Sequence, residues 1–494
     1  MKLGCIFLVI AIIFSIDANV FAKSKKKIIT HTYTHNWPTP YLYGAAQLSN
    51  ELNRIINVNN INAEVTVYVK SMRHGDALYT RNIYKPLTPA STLKVFTAEA
   101  ALIFLGPEYR FATQLLTDAK SIKQGVLQGN LYVVLNGDPT LTYYDLINLV
   151  LLLRNYQITA VAGNVYIDNT AYDQRFYGPG WNGKDKTYCY AAPISASIIN
   201  HNCLSFKMTS ANTAGGAAQV LTSSKYFYPI INNSVVTKNS HTRACSLHLT
   251  NNLTSSINVG GCLPKGSYAG LSYVVTNVPE YNRALFKSLF MRIGISVAGS
   301  VTFGSATGSL SLIGQHASEP LKTMISELLK KSDNIIAGAL FKKIGQLYTR
   351  TPGSWENGSL AVSKILSTRA QVDTTGLRIL DGSGLSPFNL TSSAQMMQVL
   401  DFAFHHGPTS YDFIAALPIA GVDGTLKHRM GNIARKVRAK TGTISGVVSL
   451  AGYALGSSKE PLAFVIIING NKQQIWQFRA LEDQIVTALT RYVR

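Results

Sequence analysis

Between about residues 115 and 316 the chain changes texture. Short strand-like runs broken by turns replace helical periodicity, and Cys189, Cys203, Cys245 and Cys262 all fall inside the stretch. On its N-terminal side "YLYGAAQLSNELNRIINV" has helical spacing, "AEVTVYVKS" and "DALYTRNI" read as strands, and an alanine-rich helix starts near residue 91. On its C-terminal side "EPLKTMISELLKK", "NIIAGALFKKIGQLY" and "TSSAQMMQVLDFAFHH" read as helices. The strands "VRAKTGT", "GVVSLAGYAL" and "PLAFVIIING" and the helix "WQFRALEDQIVTALTRYV" close the chain. The pattern predicts an α/β domain over 23–114 and 317–494, its sheet fed from both ends of the chain and flanked by helices. Residues 115–316 form a large, mostly β insert. Hairpin-length turns between the strands make the sheet antiparallel. With 494 residues, 46% of them hydrophobic, the chain can bury cores of that size.

"MKLGCIFLVIAIIFSIDANVFA" has a basic start, an apolar run and a small-residue exit, the pattern of a secretory signal peptide over 1–22 cleaved after Ala22. The basic "KSKKK" that follows opposes translocation, which leaves an uncleaved anchor as the alternative. No later run approaches the ~20 apolar residues of a spanning helix, so an exported, periplasmic or extracellular protein is expected. In that compartment the four later cysteines should form disulfides. They allow three connectivities. Locality, and the ~3 kcal/mol expected from closing each short loop, favours Cys189 with Cys203 and Cys245 with Cys262. No C-x-x-C or H-E-x-x-H occurs, and no metal or other cofactor is expected. The net charge of +21 favours anionic membrane surfaces or wall polymers as partners. No basic module interleaved with aromatics points to nucleic acid.

Three short motifs carry the chemistry. "PASTLKVFTAEAAL" places Ser91 and Lys94 three apart at a helix start, where they share a face. "KKSDNIIAGALF" puts Ser332, Asp333 and Asn334 at a helix junction, and "RAKTGTISG" puts Lys440, Thr441, Gly442 and Thr443 on a strand. Each is weak alone: S-x-x-K recurs at Ser24 to Lys27 and S-x-N at Ser256 to Asn258. Together, in this order, they are the signature of penicillin-binding proteins and class A β-lactamases. A serine hydroxyl needs a neighbouring base to become a nucleophile. A lysine supplies one only when neutral, so the site must lower its pKa from ~10.4 through desolvation, the helix N-terminus and a second cation such as Lys440.

Beyond the motifs, the chain resembles the class C low-molecular-mass penicillin-binding proteins, the D-alanyl-D-alanine carboxypeptidase/endopeptidase family. The resemblance also runs through "LNGDPTLT", "YAAPISASIINHNCLSF", "LDGSGLS" and "LPIAGVDGTLKHRM". It implies a β-lactamase-like transpeptidase domain with two smaller domains inserted between the S-x-x-K and S-D-N helices. It also implies cleavage of D-Ala-D-Ala termini or D-Ala cross-links of peptidoglycan stem peptides, with β-lactams as covalent inhibitors. Ser91 would be the nucleophile, Lys94 its base, and the N–H groups of Ser91 and Thr443 the oxyanion hole. Ser332 would relay a proton to the leaving amine, and Asn334 would hold the substrate amide. Lys440, Thr441 and Thr443 would bind the terminal carboxylate. Gly442 would let the substrate lie against the strand edge, and Asp333 would be a structural residue of the junction.

In relatives that recognise a diaminopimelate stem, an aspartate of the insert pairs with the side-chain amine and an arginine after "DGSGLS" engages the carboxylate. Asp185 corresponds to the aspartate, with Tyr190 lining the same pocket, but Pro387 follows Ser386 where the arginine would stand. Two other readings share the motifs. A β-lactamase of class A is a single-domain enzyme to which a large insert is foreign, and a wall-peptide or penicillin sensor would acylate without hydrolysing peptide.

Overall fold

The computed structural model describes residues 42–221, 230–239, 245–251, 256–406 and 409–494. The expected signal peptide over 1–22 and the basic run after it lie outside the described residues. No helix among the described residues is long and apolar enough to cross a membrane.

The central sheet has five strands in the order Val437–Ile444, Val447–Leu455, Pro461–Gly470, Ala63–Ser71, Ala77–Arg81. Every neighbouring pair is antiparallel, and Ala63 to Ser71 run against Gly470 to Leu462 without a break. The two ends of the chain thus meet in one sheet, as the sequence pattern predicts. Strand alternation explains why the middle strands read as continuous apolar runs. Phe464, Ile466 and Ile468 face a core with Leu48, Leu52, Phe478 and Ile485 from the helices Ala45–Asn59 and Ile475–Leu489. Val465 and Ile467 face the opposite core, with Phe96, Ile336 and Met396 from the helices Lys94–Leu105, Asn334–Thr349 and Ser393–His405.

Ala112–Thr117 pairs antiparallel with Ser311–Ala317, so the chain between them leaves and returns at one place. Those strands belong to a five-stranded sheet accompanied by a four-stranded one, and residues 203–274 form two three-stranded sheets. Leu115, Val133 and Phe286 share one apolar core with Phe206, Val235 and Val259 of the three-stranded sheets. Both expected disulfides, Cys189–Cys203 and Cys245–Cys262, are present. Two helices interrupt the strand-like texture, Tyr143–Leu151 and Val278–Arg292. Each begins at a side-chain cap, Thr142 with Asp145 in a capping box and Asn277 before Pro279. These start signals are legible in the sequence.

Candidate active site

The nucleophile's turn is set by packing against two neighbouring segments. Ala90–Leu93 forms a tight 3-10 turn that runs into the helix Lys94–Leu105. The Pro89 carbonyl accepts from Thr92 Oγ1 at 2.7 Å and from Ser449 Oγ at 2.5 Å. Gly384 has φ +82°, and a Cβ there would sit 1.9 Å from the Ala90 carbonyl oxygen. The loop after Asp381 therefore presses against the turn only because residue 384 is glycine.

Lys94 is fully buried beneath this turn. Its Nζ lies 3.0 Å from Ser91 Oγ, 2.6 Å from Asn334 Oδ1 and 2.7 Å from the Ser383 carbonyl oxygen. Burial lowers its pKa to about 7, against the opposing pull of Asp381 and Asp333. Near neutral pH a large fraction of Lys94 is an amine whose lone pair can take the Ser91 proton. The lowering expected of Lys94 is present, and burial alone accounts for it; Lys440 and the helix N-terminus, expected to contribute, do not. Lys440 is also fully buried, and its pKa is driven well below normal by burial and then by repulsion from Lys94.

Ser332 occupies the junction between the helices Leu321–Lys330 and Asn334–Thr349 with φ +60°, a left-handed conformation uncommon for serine. Asp333 caps the second helix, accepting from the N–H groups of Ile335 and Ile336 at 2.8 and 2.9 Å. That is the structural role expected of it. Lys440 Nζ donates to Ser332 Oγ at 2.9 Å and to the Thr441 carbonyl at 2.6 Å. The serine and lysine pairs of the three motifs thus interlock within one cluster.

Val437–Ile444 is an edge strand of the central sheet. Its outer side is covered early, where Ala439 N–H donates to the Pro418 carbonyl and Val437 C=O accepts from Ala420 N–H. Backbone groups alternate in direction along a strand. The N–H groups of Thr441 and Thr443 therefore face the same outer side, beyond the covered stretch. Gly442 also has a packing reason within the protein. A Cβ there would point away from that edge, 2.2 Å from Ser449 Oγ and 2.9 Å from both Pro89 O and Ser91 N. The glycine lets the strand approach the turn that carries Ser91.

On the other side, Asn334 Nδ2 donates to the Tyr190 carbonyl at 2.8 Å, and Tyr190 OH donates to Asp185 Oδ1 at 2.7 Å. Tyr190, His201, Ser332 and Asn334 are among the residues lining a cleft of about 480 Å3; Asp185 is not. Asp185 is thus linked to the cluster through Tyr190 and stands outside the cleft wall. The Pro387 carbonyl accepts from Thr88 Oγ1 at 3.1 Å, and Phe388 packs over Gly180.

Three contributors were not singled out from the sequence. Asp381 is fully buried and accepts from the N–H groups of Gly384 and Ser386 at 2.7 and 2.9 Å and from Trp181 Nε1 at 2.6 Å. It folds the loop that aims the Ser383 carbonyl at Lys94, and an aspartate opening a glycine-rich turn was the available signal. Thr425 lies 2.7 Å from Thr441 Oγ1, oxygen to oxygen. Arg479, from the last helix, donates to Thr443 Oγ1 at 3.2 Å. No local pattern marks either of those two.

Comparison with known proteins agrees with this geometry. The D-alanyl-D-alanine carboxypeptidase DacB of Haemophilus influenzae is 33% identical over 387 residues, 77% of this chain and 80% of that protein. The crystal structure of penicillin binding protein 4 (dacB) from that organism has a TM-score of 0.75 at 30% identity, covering 90% of this chain and all of that one. A second structure of it, complexed with a β-lactam, has a TM-score of 0.72 at 29% identity, covering 88% and 99%. The D-Ala-D-Ala carboxypeptidase 3 (S13) family matches over residues 48–492, and the chain belongs to that family.

Proposed function

We propose that the protein is a serine D,D-carboxypeptidase/endopeptidase that cleaves D-Ala-D-Ala termini or D-Ala cross-links of peptidoglycan through an acyl-enzyme on Ser91. The observation that carries the reading is the buried Lys94 amine, 3.0 Å from Ser91 Oγ, with its pKa lowered to about 7. Lys94 takes the hydroxyl proton as Ser91 Oγ attacks the carbonyl of the penultimate D-alanine. The oxyanion is received by the N–H groups of Ser91 and Thr443. Ser332 gives its hydroxyl proton to the leaving amine as the C–N bond breaks and is reprotonated by Lys440, which donates to it. Water then hydrolyses the ester and frees Ser91.

Asn334 holds the substrate amide, and Thr441 and Thr443 receive the carboxylate of the leaving residue on the open side of their strand. Asp185 and Tyr190 recognise the stem side chain. With Pro387 in place of an arginine, free diaminopimelate ends are bound by their amine alone. The division into 23–114, 115–316 and 317–494 is supported by a central sheet fed from both flanks and by the insert's own core. The two disulfides favour an oxidising, exported place of work, and the charge of +21 favours anionic wall or membrane surfaces. The complex of the Haemophilus influenzae protein with a β-lactam supports β-lactams as ligands of this site, and acylation of Ser91 makes them covalent inhibitors.

Incubation with defined cross-linked and uncross-linked muropeptides, with products identified by mass spectrometry, tests the reading. Release of D-alanine or of monomers supports it. Acylation by penicillin with no peptide product would favour a sensor, and rapid penicillin turnover a β-lactamase.

A further inference from the structure

A carboxylate arriving at the open edge of Val437–Ile444 needs a cation that remains charged there. Lys440 is badly placed for this. Its Nζ is enclosed in the protein and directed at Ser332 Oγ and the Thr441 carbonyl, and burial weakens its hold on its proton.

Arg479 differs on every count. It is exposed, it carries the planar guanidinium that suits a carboxylate, and it reaches the outer threonine of the motif strand at 3.2 Å. The acidic residues one helical turn further on, Glu482 and Asp483, would ordinarily draw an arginine at this spacing. Both instead pair with Arg429, at 2.9 and 2.6 Å. Arg479 is directed at Thr443, itself an exposed residue. Because the arginine donates to Thr443 Oγ1, the threonine's own O–H remains to donate onward to an acceptor. Guanidinium and hydroxyl then present donors to the same oxygen pair, a geometry that suits a carboxylate.

We infer that Arg479 is a specificity-determining residue that, with Thr441 and Thr443, holds the free α-carboxylate of the leaving residue. The inference rests on the D,D-peptidase reading and names the group of that substrate which the C-terminal helix recognises. It makes a leaving residue with a free carboxylate the favoured one, whether a terminal D-alanine or the acceptor end of a cross-link. An amidated leaving residue is disfavoured. The contact is exposed, so added salt should weaken it.

The test measures kcat/KM for an acyl-D-Ala-D-Ala peptide and for the same peptide ending in a carboxamide, in wild type, Arg479→Gln and Arg479→Lys. The carboxylate-to-carboxamide ratio should fall by about tenfold to a hundredfold in Arg479→Gln, the range of a charge-assisted hydrogen bond, and by less in Arg479→Lys. Thermal melting of each variant checks that the helix still folds. An unchanged ratio in folded Arg479→Gln, or equal losses on both peptides, overturns the assignment. A wild type that cleaves neither peptide overturns the peptidase reading itself and the assignment with it.

Discussion

The side-chain amide of Asn334 donates to the Tyr190 carbonyl at 2.8 Å while its oxygen accepts from Lys94 at 2.6 Å. One asparagine therefore joins the Tyr190 segment to Lys94. Asn334→Asp places an anion against Lys94, which favours the ammonium and raises the lysine pKa. The acid limb of kcat/KM should move to higher pH, with activity at pH 7 reduced and partly recovered at pH 9. A limb that stays in place would show that Asn334 does not contact the base.

Because the Lys94 pKa is lowered to about 7, acylation of wild type by penicillin should fall about tenfold per pH unit below that value. Arginine cannot surrender its proton, so Lys94→Arg should be nearly inactive at every pH. Ser91→Ala should abolish covalent labelling by a fluorescent penicillin. Persistent labelling of Ser91→Ala, or near-normal acylation of Lys94→Arg, counts against the assigned roles.

Asp185 accepts from Tyr190 OH, which is linked to the cluster through its own carbonyl. Asp185→Ala should lower kcat/KM for a stem peptide with a free side-chain amine, by about 1–3 kcal/mol in transition-state terms. Acylation by a simple penicillin lacking that amine should barely change. Equal losses on both ligands would mean that Asp185 supports the fold.

Glu99, on the helix that begins at Lys94, is fully buried, and neither carboxyl oxygen has a hydrogen-bond partner among the described residues. Burial raises its pKa to about 8 from 4.5. Between those values the folded state holds a proton that the unfolded state has lost, so stability falls as pH rises. The stabilisation is complete below about pH 4.5 and gone above about pH 8, at about 1.4 kcal/mol per pH unit between them. Glu99→Gln should remove this slope. Urea unfolding of both proteins at pH 5, 6.5 and 8 measures it, and parallel pH dependences would show that Glu99 does not titrate in this range.

Much of the molecule follows from local pattern. A three-residue spacing at a helix start brings Ser91 and Lys94 onto one face in any fold that forms that helix. Period-two burial wrote the central strands into the sequence as unbroken apolar runs. Two cysteine pairs separated by 14 and 17 residues close on themselves because short loops are the least costly to close. Tertiary structure decided the rest. The pKa of Lys94 is lowered by burial, and its amine is held by partners 240 and 289 residues away, Asn334 and Ser383, the second aimed by the buried Asp381. Gly442 is explained by the turn of Ser91, to which no sequence spacing connects it. Arg479 reaches Thr443 from the C-terminal helix, whose acids Glu482 and Asp483 pair with Arg429 from a distant segment. Local geometry carries from a residue to neighbours three or four positions on. Desolvation and charge partnership are set by whichever distant segments pack against it, so the sequence places Ser91 beside Lys94, and the fold lowers the pKa of that lysine.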